Sequence, residues 1–439
     1  LKITDMKTPS YIYQIDERLP VRLGAAYGLQ WAFIAFPSAV IAARLCGDAL
    51  NFNVQQGLRF LQFTVFTTGL FTFLQTLWGH RYPLLEGPST ALILTFILLA
   101  PFGLPAIQGG MAVGGTLLIL TVLSGQLKRL IRLFTPNVIG VILMLIALGL
   151  LPALLRLLTG VDAARPHGEP IIMLISLVLV LLMATLSYRL KGFWKTISIL
   201  MGMAGGSLLF YLLGRLDFQH LSGAPWFSLP ARWTAPVPTV YWTPAVAFGC
   251  TYLAVIVNSL GSLQGIAAIT DKKRLPDATK RGILMNGAAG IVCGFLGVVG
   301  TVSYGMSPGV ILMNRVASRY ALTYCGAVLL TAAFLPKLAA LLSLVPSAVV
   351  GATLCVAMGG QVGAGISIIS SKPLTPRDYF VVGLPVLLGT ASGFYPPGLF
   401  STLPGLSRVF LGNSLIAGIA AVLVLEHVLC REKALSEKT

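Results

Sequence analysis

Charge is scarce in this chain, and negative charge scarcer still. Only 10% of its 439 residues are Asp, Glu, Lys or Arg, and 14 are acidic, too thin a polar complement to coat a soluble globule of this size. The four histidines, His80, His167, His220 and His427, stand isolated near segment ends. The six cysteines are single, mostly inside apolar runs, with neither CxxC nor metal-ligand spacing, and read as reduced packing residues. A Walker-type glycine loop and acid pairs at glycosidase or metal spacing are missing too. The expectation is a protein that is no enzyme, with no catalytic residues, no metal and no cofactor. A cleavable leader is not expected, because the first 20 residues are polar and the first apolar run is too long for an h-region.

Apolar sequence takes the place of charge. Hydrophobic residues make up 56% of the chain and the mean hydropathy is +0.85, which describes an all-α polytopic membrane protein. At roughly 20 residues per span, the length allows about a dozen helices or slightly more. The formal charge of +17 suggests nucleic acid, but the placement of the basic residues opposes that partner. With the N-terminus inside and the spans alternating, 23 of the 31 Lys and Arg fall in cytoplasmic segments and 8 on the other face. The positive-inside rule accounts for that bias and puts both termini in the cytoplasm, with membrane lipid as the surroundings.

Two stretches interrupt the apolar runs. Val302-Ser303-Tyr304-Gly305-Met306-Ser307-Pro308-Gly309-Val310 holds two glycines, a proline and two serines, so extended backbone followed by a short helix is predicted there. Tyr82-Pro83-Leu84-Leu85-Glu86-Gly87-Pro88-Ser89-Thr90 is likewise no plain helix. Broken backbone at membrane depth survives only where protein or a watery cavity satisfies it, which makes both stretches site candidates. The plainer alternative is a Gly/Pro kink or a connecting loop.

The interruptions repeat. Pro136-Asn137-Val138-Ile139-Gly140 opens span 5, predicted over about 136–155, and is echoed by Pro346-Ser347-Ala348-Val349-Val350-Gly351 opening span 12. Breaks at spans 3 and 10 with matching starts at 5 and 12 give 14 transmembrane segments, seven per half. Because seven is odd, the second half is inverted relative to the first, with the site where the broken helices meet.

These residues resemble the nucleobase–ascorbate transporter family, nucleobase/cation symporters that include bacterial uracil and xanthine permeases. The resemblance rests on Phe134-Thr135-Pro136-Asn137-Val138-Ile139-Gly140, Ala224-Pro225-Trp226-Phe227, Asn258-Ser259-Leu260-Gly261-Ser262-Leu263-Gln264, Arg281-Gly282-Ile283-Leu284-Met285-Asn286-Gly287, Ser303-Tyr304-Gly305 and Phe334-Leu335-Pro336-Lys337. It implies a core domain and a gate domain, short antiparallel strands in spans 3 and 10, and a homodimer formed through the gate. On that pattern, 1–20 is a cytoplasmic arm, 21–133 the first core half (spans 1–4) and 134–214 the first gate half (spans 5–7). An extracytoplasmic loop at 215–243 precedes the second core half at 244–337 (spans 8–11), the second gate half at 338–429 (spans 12–14) and a cytoplasmic tail at 430–439. The sequence departs from the family at its site: Asn258 stands for a span 8 glutamate, Ser262 for His or Asp, Met306-Ser307 for the span 10 Glu-Asn or Gln-Asn pair, Thr90 for a span 3 aromatic, and Gln30-Trp31 for the span 1 Gln-His pair.

Glu86 alone among the acids is expected at depth, where a carboxylate is costly unless paired, protonated or hydrated. It is the proton-coupling candidate, and equally a cap for the half-helix beginning at Pro88. Asn258 and Ser262, one helical turn apart, face one cavity, and an Asn amide complements the edge of a nucleobase, although interhelical hydrogen bonding accounts for the pair and for Gln30 as readily. Backbone N–H groups near Ser307 and Gly309 point to a carbonyl or an anion, and Trp31 and Tyr304 offer faces for a planar ring, or pack. The expectation is a secondary transporter of a purine or pyrimidine base, a proton-coupled symporter (sodium being the other candidate ion) in a bacterial cytoplasmic (inner) membrane, moving core against gate. The rivals are a small-anion transporter of the same architecture, which a buried Glu86 carboxylate opposes by repulsion, and an uncoupled facilitator or non-transporting sensor.

Overall fold

The computed structural model describes residues 11–161, 165–216, 221, 223–228, 236–396, 399, 403 and 405–430. Residues 1–10 of the expected arm, 431–439 of the tail and His220 lie outside the described residues.

Seven helices are each long and apolar enough to cross a membrane unaided: Val21–Ala49, Val54–Leu77, Leu104–Leu123, Pro136–Thr159, Pro170–Arg189, Trp242–Ile269 and Ser347–Ile369. They are spans 1, 2, 4, 5, 6, 8 and 12. The remaining spans are shorter, charged at one end, or broken: Ser198–Leu212 is span 7, Leu275–Leu296 span 9, Arg319–Ala333 span 11, Pro376–Ser392 span 13 and Ser414–Val424 the inner part of span 14. Together with two interrupted segments, spans 3 and 10, they form the fourteen-span, seven-plus-seven inverted repeat.

Local chemistry explains where the helices start and stop. Span 2 opens with a capping box between Asn53 and Gln56 and span 5 with Thr135 accepting from the Val138 N–H, each satisfying an orphan donor of the first turn. Span 5, predicted unbroken, divides at Gly149 and Leu150 into Pro136–Leu148 and Leu151–Thr159, because Pro152 suits only the first turn of a restarted helix. Span 11 turns by 91° before Pro336–Ser343, again where a proline offers no N–H. Between spans 4 and 9 there is no room for side chains: a Cβ added at Gly287 would lie 2.8 Å from the Gly115 carbonyl oxygen, the close approach that small residues permit in membranes.

Span 3 consists of β1 (Glu86–Pro88) and the half-helix Thr90–Leu98. Span 10 consists of β2 (Thr301–Ser303) and the half-helix Ser307–Asn314. The strands pair antiparallel, Glu86 opposite Ser303, Gly87 opposite Val302 and Pro88 opposite Thr301, and all six residues are buried. Two extended segments thus satisfy each other inside the bundle, the condition for irregular backbone at membrane depth.

Three features hold the surroundings. The arm runs beside the loop after span 10, with Ile12 N–H donating to the Arg315 carbonyl and Ala317 N–H to that of Tyr13, and the Asp16 carboxylate receives Arg274 and Arg319, each at 2.8 Å. Two of the family-like motifs meet: the Phe227 ring stacks on Phe334 at 6.2 Å and Lys337 Nζ lies 4.3 Å over the Trp226 ring, while Trp226 stays 73% exposed at the surface. Where spans 5 and 13 begin and span 14 ends, Asn137 Nδ2 donates to Asp378 Oδ1 at 2.6 Å and to Glu426 Oε2 at 3.4 Å, with Arg377 3.1 Å from Glu426. Asp378 and Glu426 are buried at these span ends as well. Proximity to Arg377 is what makes their burial tolerable.

Candidate functional site

The strand pair puts the most enclosed carboxylate among the described residues at its crossing. Glu86 has no solvent exposure; Ser303 Oγ donates to its Oε1 over 2.5 Å, and its own backbone N–H donates to Thr72 Oγ1 at 3.2 Å. Oε2 has no hydrogen-bond partner among the described residues, and an unsatisfied buried acceptor carries a desolvation penalty that a bound hydrogen would relieve. The half-helix after β1 spans Thr90–Leu98 with Ser89 as its N-cap, and the Glu86 carboxylate is engaged by Ser303 at Oε1 and left unpartnered at Oε2 among the described residues, so it does not cap the first turn.

His80, read from sequence as isolated, is the residue that reasoning missed. It is fully buried, with Nε2 3.4 Å from Glu86 Oε1. Its Nδ1 accepts the Tyr82 backbone N–H at 3.0 Å, which assigns the ring hydrogen to Nε2, facing the carboxylate. The turn that brings it in uses Arg81 at φ 57°, a left-handed conformation rare for a residue with a Cβ. The His80 N–H donates to Gln75 Oε1, Gln75 Nε2 to Asn286 Oδ1 at 2.8 Å, and Asn286 Nδ2 to Ser259 Oγ at 2.5 Å. A buried polar chain therefore joins Glu86 to spans 9 and 8.

The expected site residues divide into two groups. Ser262, Ser307 and Tyr304 stitch the crossing together: Ser262 Oγ donates to the Ser303 carbonyl at 2.8 Å, Ser307 Oγ accepts from the Leu85 N–H at 3.1 Å, and Tyr304 Oη donates to the Pro88 carbonyl at 3.2 Å. The Tyr304 ring lies where a side chain on Gly87 would be, since a Cβ there would come within 2.6 Å of its Cε2. Asn258 and Thr90 are half-buried, and Met306 and Gly309 are exposed, at the rim. A Cβ added at Gly261 or Gly309 would meet nothing within 4 Å, so open space adjoins Asn258 on span 8 and the start of the span 10 half-helix.

Gln30 and Trp31 lie elsewhere in the packing. The Gln30 amide donates to Thr196 Oγ1 at 2.8 Å and accepts from Asn314 Nδ2 at 3.1 Å, tying span 1 to the end of span 10 and the short helix Gly192–Thr196. Trp31, 3% exposed, belongs to the hydrophobic core.

The Permease family profile (Xan_ur_permease) matches residues 25–398. The chain belongs to this permease family. It is 26% identical over 406 residues to the uric acid permease PucK of Bacillus subtilis (strain 168), covering 91% of this chain and 93% of that protein. It is 22% identical over 408 residues to the xanthine permease of the same organism, covering 91% and 92%. In fold it is similar to the transmembrane domain of the cyanobacterial bicarbonate transporter BicA, with a TM-score of 0.58 and 16% identity over 93% of this chain and 98% of that one.

In this permease the carboxylate at the crossing comes from span 3, beside β2, and span 8 contributes the neutral Asn258 and Ser262. Hydrogen-bonding groups, open space and one enclosed acid with a histidine partner suit binding of a polar, uncharged solute and exchange of a proton. The hydroxyl–carboxylate pair they do contain, Ser303 with Glu86, is sealed within the strand crossing. A cavity of about 420 Å³ lies away from the crossing, where the end of span 1 and the start of span 2 face spans 6, 7 and 12.

Proposed function

We propose that this permease is a secondary transporter of a purine or pyrimidine base, coupled to protons through Glu86 with His80 beside it. The observation that carries the reading is the orphaned Oε2 of Glu86 inside the strand crossing; Gly261 on span 8 and Gly309 on the span 10 half-helix leave open space where a Cβ would meet nothing within 4 Å. The relatives named as uric acid and xanthine permeases supply the solute class. Asn258 reads the base through its amide, Gly309 leaves space beside the half-helix, and Thr90 and Met306 close the rim; the Ser307 and Gly309 N–H groups are taken by the Tyr304 and Met306 carbonyls. Ser262 and Tyr304 hold the crossing in place beneath them.

Glu86 and His80 form the proton store. The His80 Nε2 faces the carboxylate at 3.4 Å without a hydrogen bond to it, so an added proton is taken up at the unpartnered Glu86 Oε2, inside the protein and away from lipid. Spans 1–4 and 8–11 then move as the core against the gate of spans 5–7 and 12–14, carrying base and proton across a cytoplasmic (inner) membrane with both termini inside. The arm latched by Asp16 ties the cytoplasmic ends of the core together during that movement. Exposed apolar rows at Leu174, Leu177, Leu181, Phe380, Leu384 and Leu387 supply the surface for lipid and for a homodimer formed through the gate.

A small-anion cargo at the crossing is opposed by the same carboxylate, because two like charges at a few ångströms and low dielectric repel by several kcal/mol. The test is a thermal-shift panel of nucleobases, ascorbate, sulfate and bicarbonate on the purified protein, followed by uptake of the hits in proteoliposomes. Stabilisation and saturable uptake of a base support the reading; stabilisation by anions alone overturns it.

A further inference from the structure

The seam between the proposed core and gate is held differently at its two ends. At one end, where span 1 finishes and span 2 starts, a cavity of about 420 Å³ lies between Val40, Ala43 and Gly47 of the core and Ile172, Phe210 and Ala348 of the gate. Farther along, Leu94 of the span 3 half-helix packs on Gly149 of span 5, where an added Cβ would lie 3.1 Å from the Leu94 Cδ1. Apolar contact of this kind is non-directional and tolerates sliding. At the opposite end, the one that carries the arm, a polar bridge crosses the seam.

Three side chains build the bridge. The Gln30 amide on span 1 donates to Thr196 Oγ1 at 2.8 Å and accepts from Asn314 Nδ2 at 3.1 Å. The Thr196 hydroxyl passes its own hydrogen to the Phe193 carbonyl at 2.6 Å, so every donor in the chain has one direction. Thr196 ends the short helix Gly192–Thr196 that joins spans 6 and 7 of the gate. That turn opens on Gly192 at φ 57°, in the left-handed region glycine enters freely. Asn314 is the last residue of the span 10 half-helix, whose first is Ser307. Eight helical residues measure about 12 Å, so one short rod carries the crossing at one end and the gate contact at the other. If core and gate slide past each other, this directional bridge has to break in each cycle, whereas the apolar contacts do not.

We propose that Thr196 is a clasp for the transport step: its hydroxyl, held by Gln30, keeps core against gate at the arm end while the far end of the seam stands open, and its release lets the arm end open in turn. Thr196 touches no solute; it is a positioning residue that sets how the two bodies divide between their arrangements. The net worth of one neutral hydrogen bond corresponds to about a fivefold change in such a population. The inference rests on the core-against-gate reading above, and the two fail in different ways.

Ile34, one helical turn beyond Gln30 on the same face of span 1 and 7% exposed, lies behind the clasp. The experiment is labelling of Ile34→Cys by a membrane-impermeant maleimide in inside-out vesicles, which present the arm face, with the unsubstituted protein as background. Adding Thr196→Val, which keeps the shape and loses the hydroxyl, is expected to speed labelling about fivefold, and adding Thr196→Ser to leave it at the parent rate. Thr196→Ala takes the place of Thr196→Val if the latter does not reach the membrane. In a second arm Ser347→Cys, on the cavity wall, is first capped with a bulky maleimide on intact cells. This wedge is expected to remove the increase, because the far end has to close as the arm end opens. Labelling of Thr196→Val at the parent rate, labelling of Thr196→Ser as fast as Thr196→Val, or an increase that the wedge leaves in place would each overturn the clasp. A wedge that slows parent labelling while Thr196→Val matches the parent leaves the sliding movement standing and removes the clasp alone; a wedge without effect on the parent removes the movement itself.

Discussion

Gly87→Ala probes the strand crossing with the least chemistry added. The new Cβ would lie 2.6 Å from Tyr304 Cε2 and closer still to its Oη and Cζ, so a shift of about 1 Å is needed to reach ordinary contact near 3.5 Å. The ring cannot retreat without cost, because the Tyr304 N–H is held to the Leu85 carbonyl at 2.8 Å and its hydroxyl to the Pro88 carbonyl at 3.2 Å. Overpacking costs about 1–3 kcal/mol and the lost hydroxyl bond about 1 kcal/mol, so the crossing is destabilised by about 2–4 kcal/mol. Base affinity, read by titration of purified protein, falls on the order of tenfold or more, since about 1.4 kcal/mol corresponds to a factor of ten. Tyr304→Ala removes the obstruction, so Gly87→Ala in that background is expected to cost at least about 1 kcal/mol less, a coupling that a double-mutant cycle measures. Additive effects of the two substitutions would refute the contact and the crossing geometry built on it.

Other outcomes follow from other parts of the molecule. Gly261→Leu fills the space beside Asn258, where a Cβ meets nothing within 4 Å; base uptake is expected to fall at least about tenfold while the melting temperature holds, as for a blocked ligand cleft, and undiminished uptake would move the site elsewhere. Asn137→Ala deletes a donor shared by Asp378 and Glu426 and is expected to cost about 1.5–3 kcal/mol, the range for a bond to a charged group, seen as a lowered melting temperature in detergent. At the arm, hydrogen bonds from Arg274 and then Arg319 hold the Asp16 carboxyl below the usual carboxylate range. Because the folded pKa is the depressed one, the latch is intact above the unfolded value near about 3.9 and is lost as pH falls through the lower folded value. Proteolytic release of the arm should therefore accelerate at low pH in the parent protein and be fast throughout in Asp16→Asn; identical profiles would remove the latch.

The two interruptions were legible because glycine and proline announce themselves: no arrangement of Ser303 to Gly309 or of Leu85 to Ser89 continues a helix, and the same grammar recurring seven spans later implied the inversion. Fourteen spans, and the meeting of the two breaks, followed from that pattern; that Glu86 stands opposite Ser303 did not. Two breaks within spans were less visible, since Pro152 and Pro336 had to be recognised as restarts rather than as kinks. The partners of buried polar groups were not legible at all. His80 reaches Glu86 only because Arg81 adopts a left-handed turn, and the polar cluster Gly79-His80-Arg81 ahead of Pro83 was the one available hint. Asn137 finds Asp378 across 241 positions, a separation at which no periodicity informs. Arg44, Arg165 and Arg215 stand far apart in sequence, and only folding gathers them around one cavity.

The most direct measurement is accumulation of a radiolabelled base by purified protein in proteoliposomes under an imposed pH gradient, comparing the parent with Glu86→Gln. The account predicts that the parent concentrates the base when the outside is acidic, and that Glu86→Gln retains base-for-base exchange but no longer responds to the gradient. Gradient-driven accumulation that persists in Glu86→Gln would contradict it.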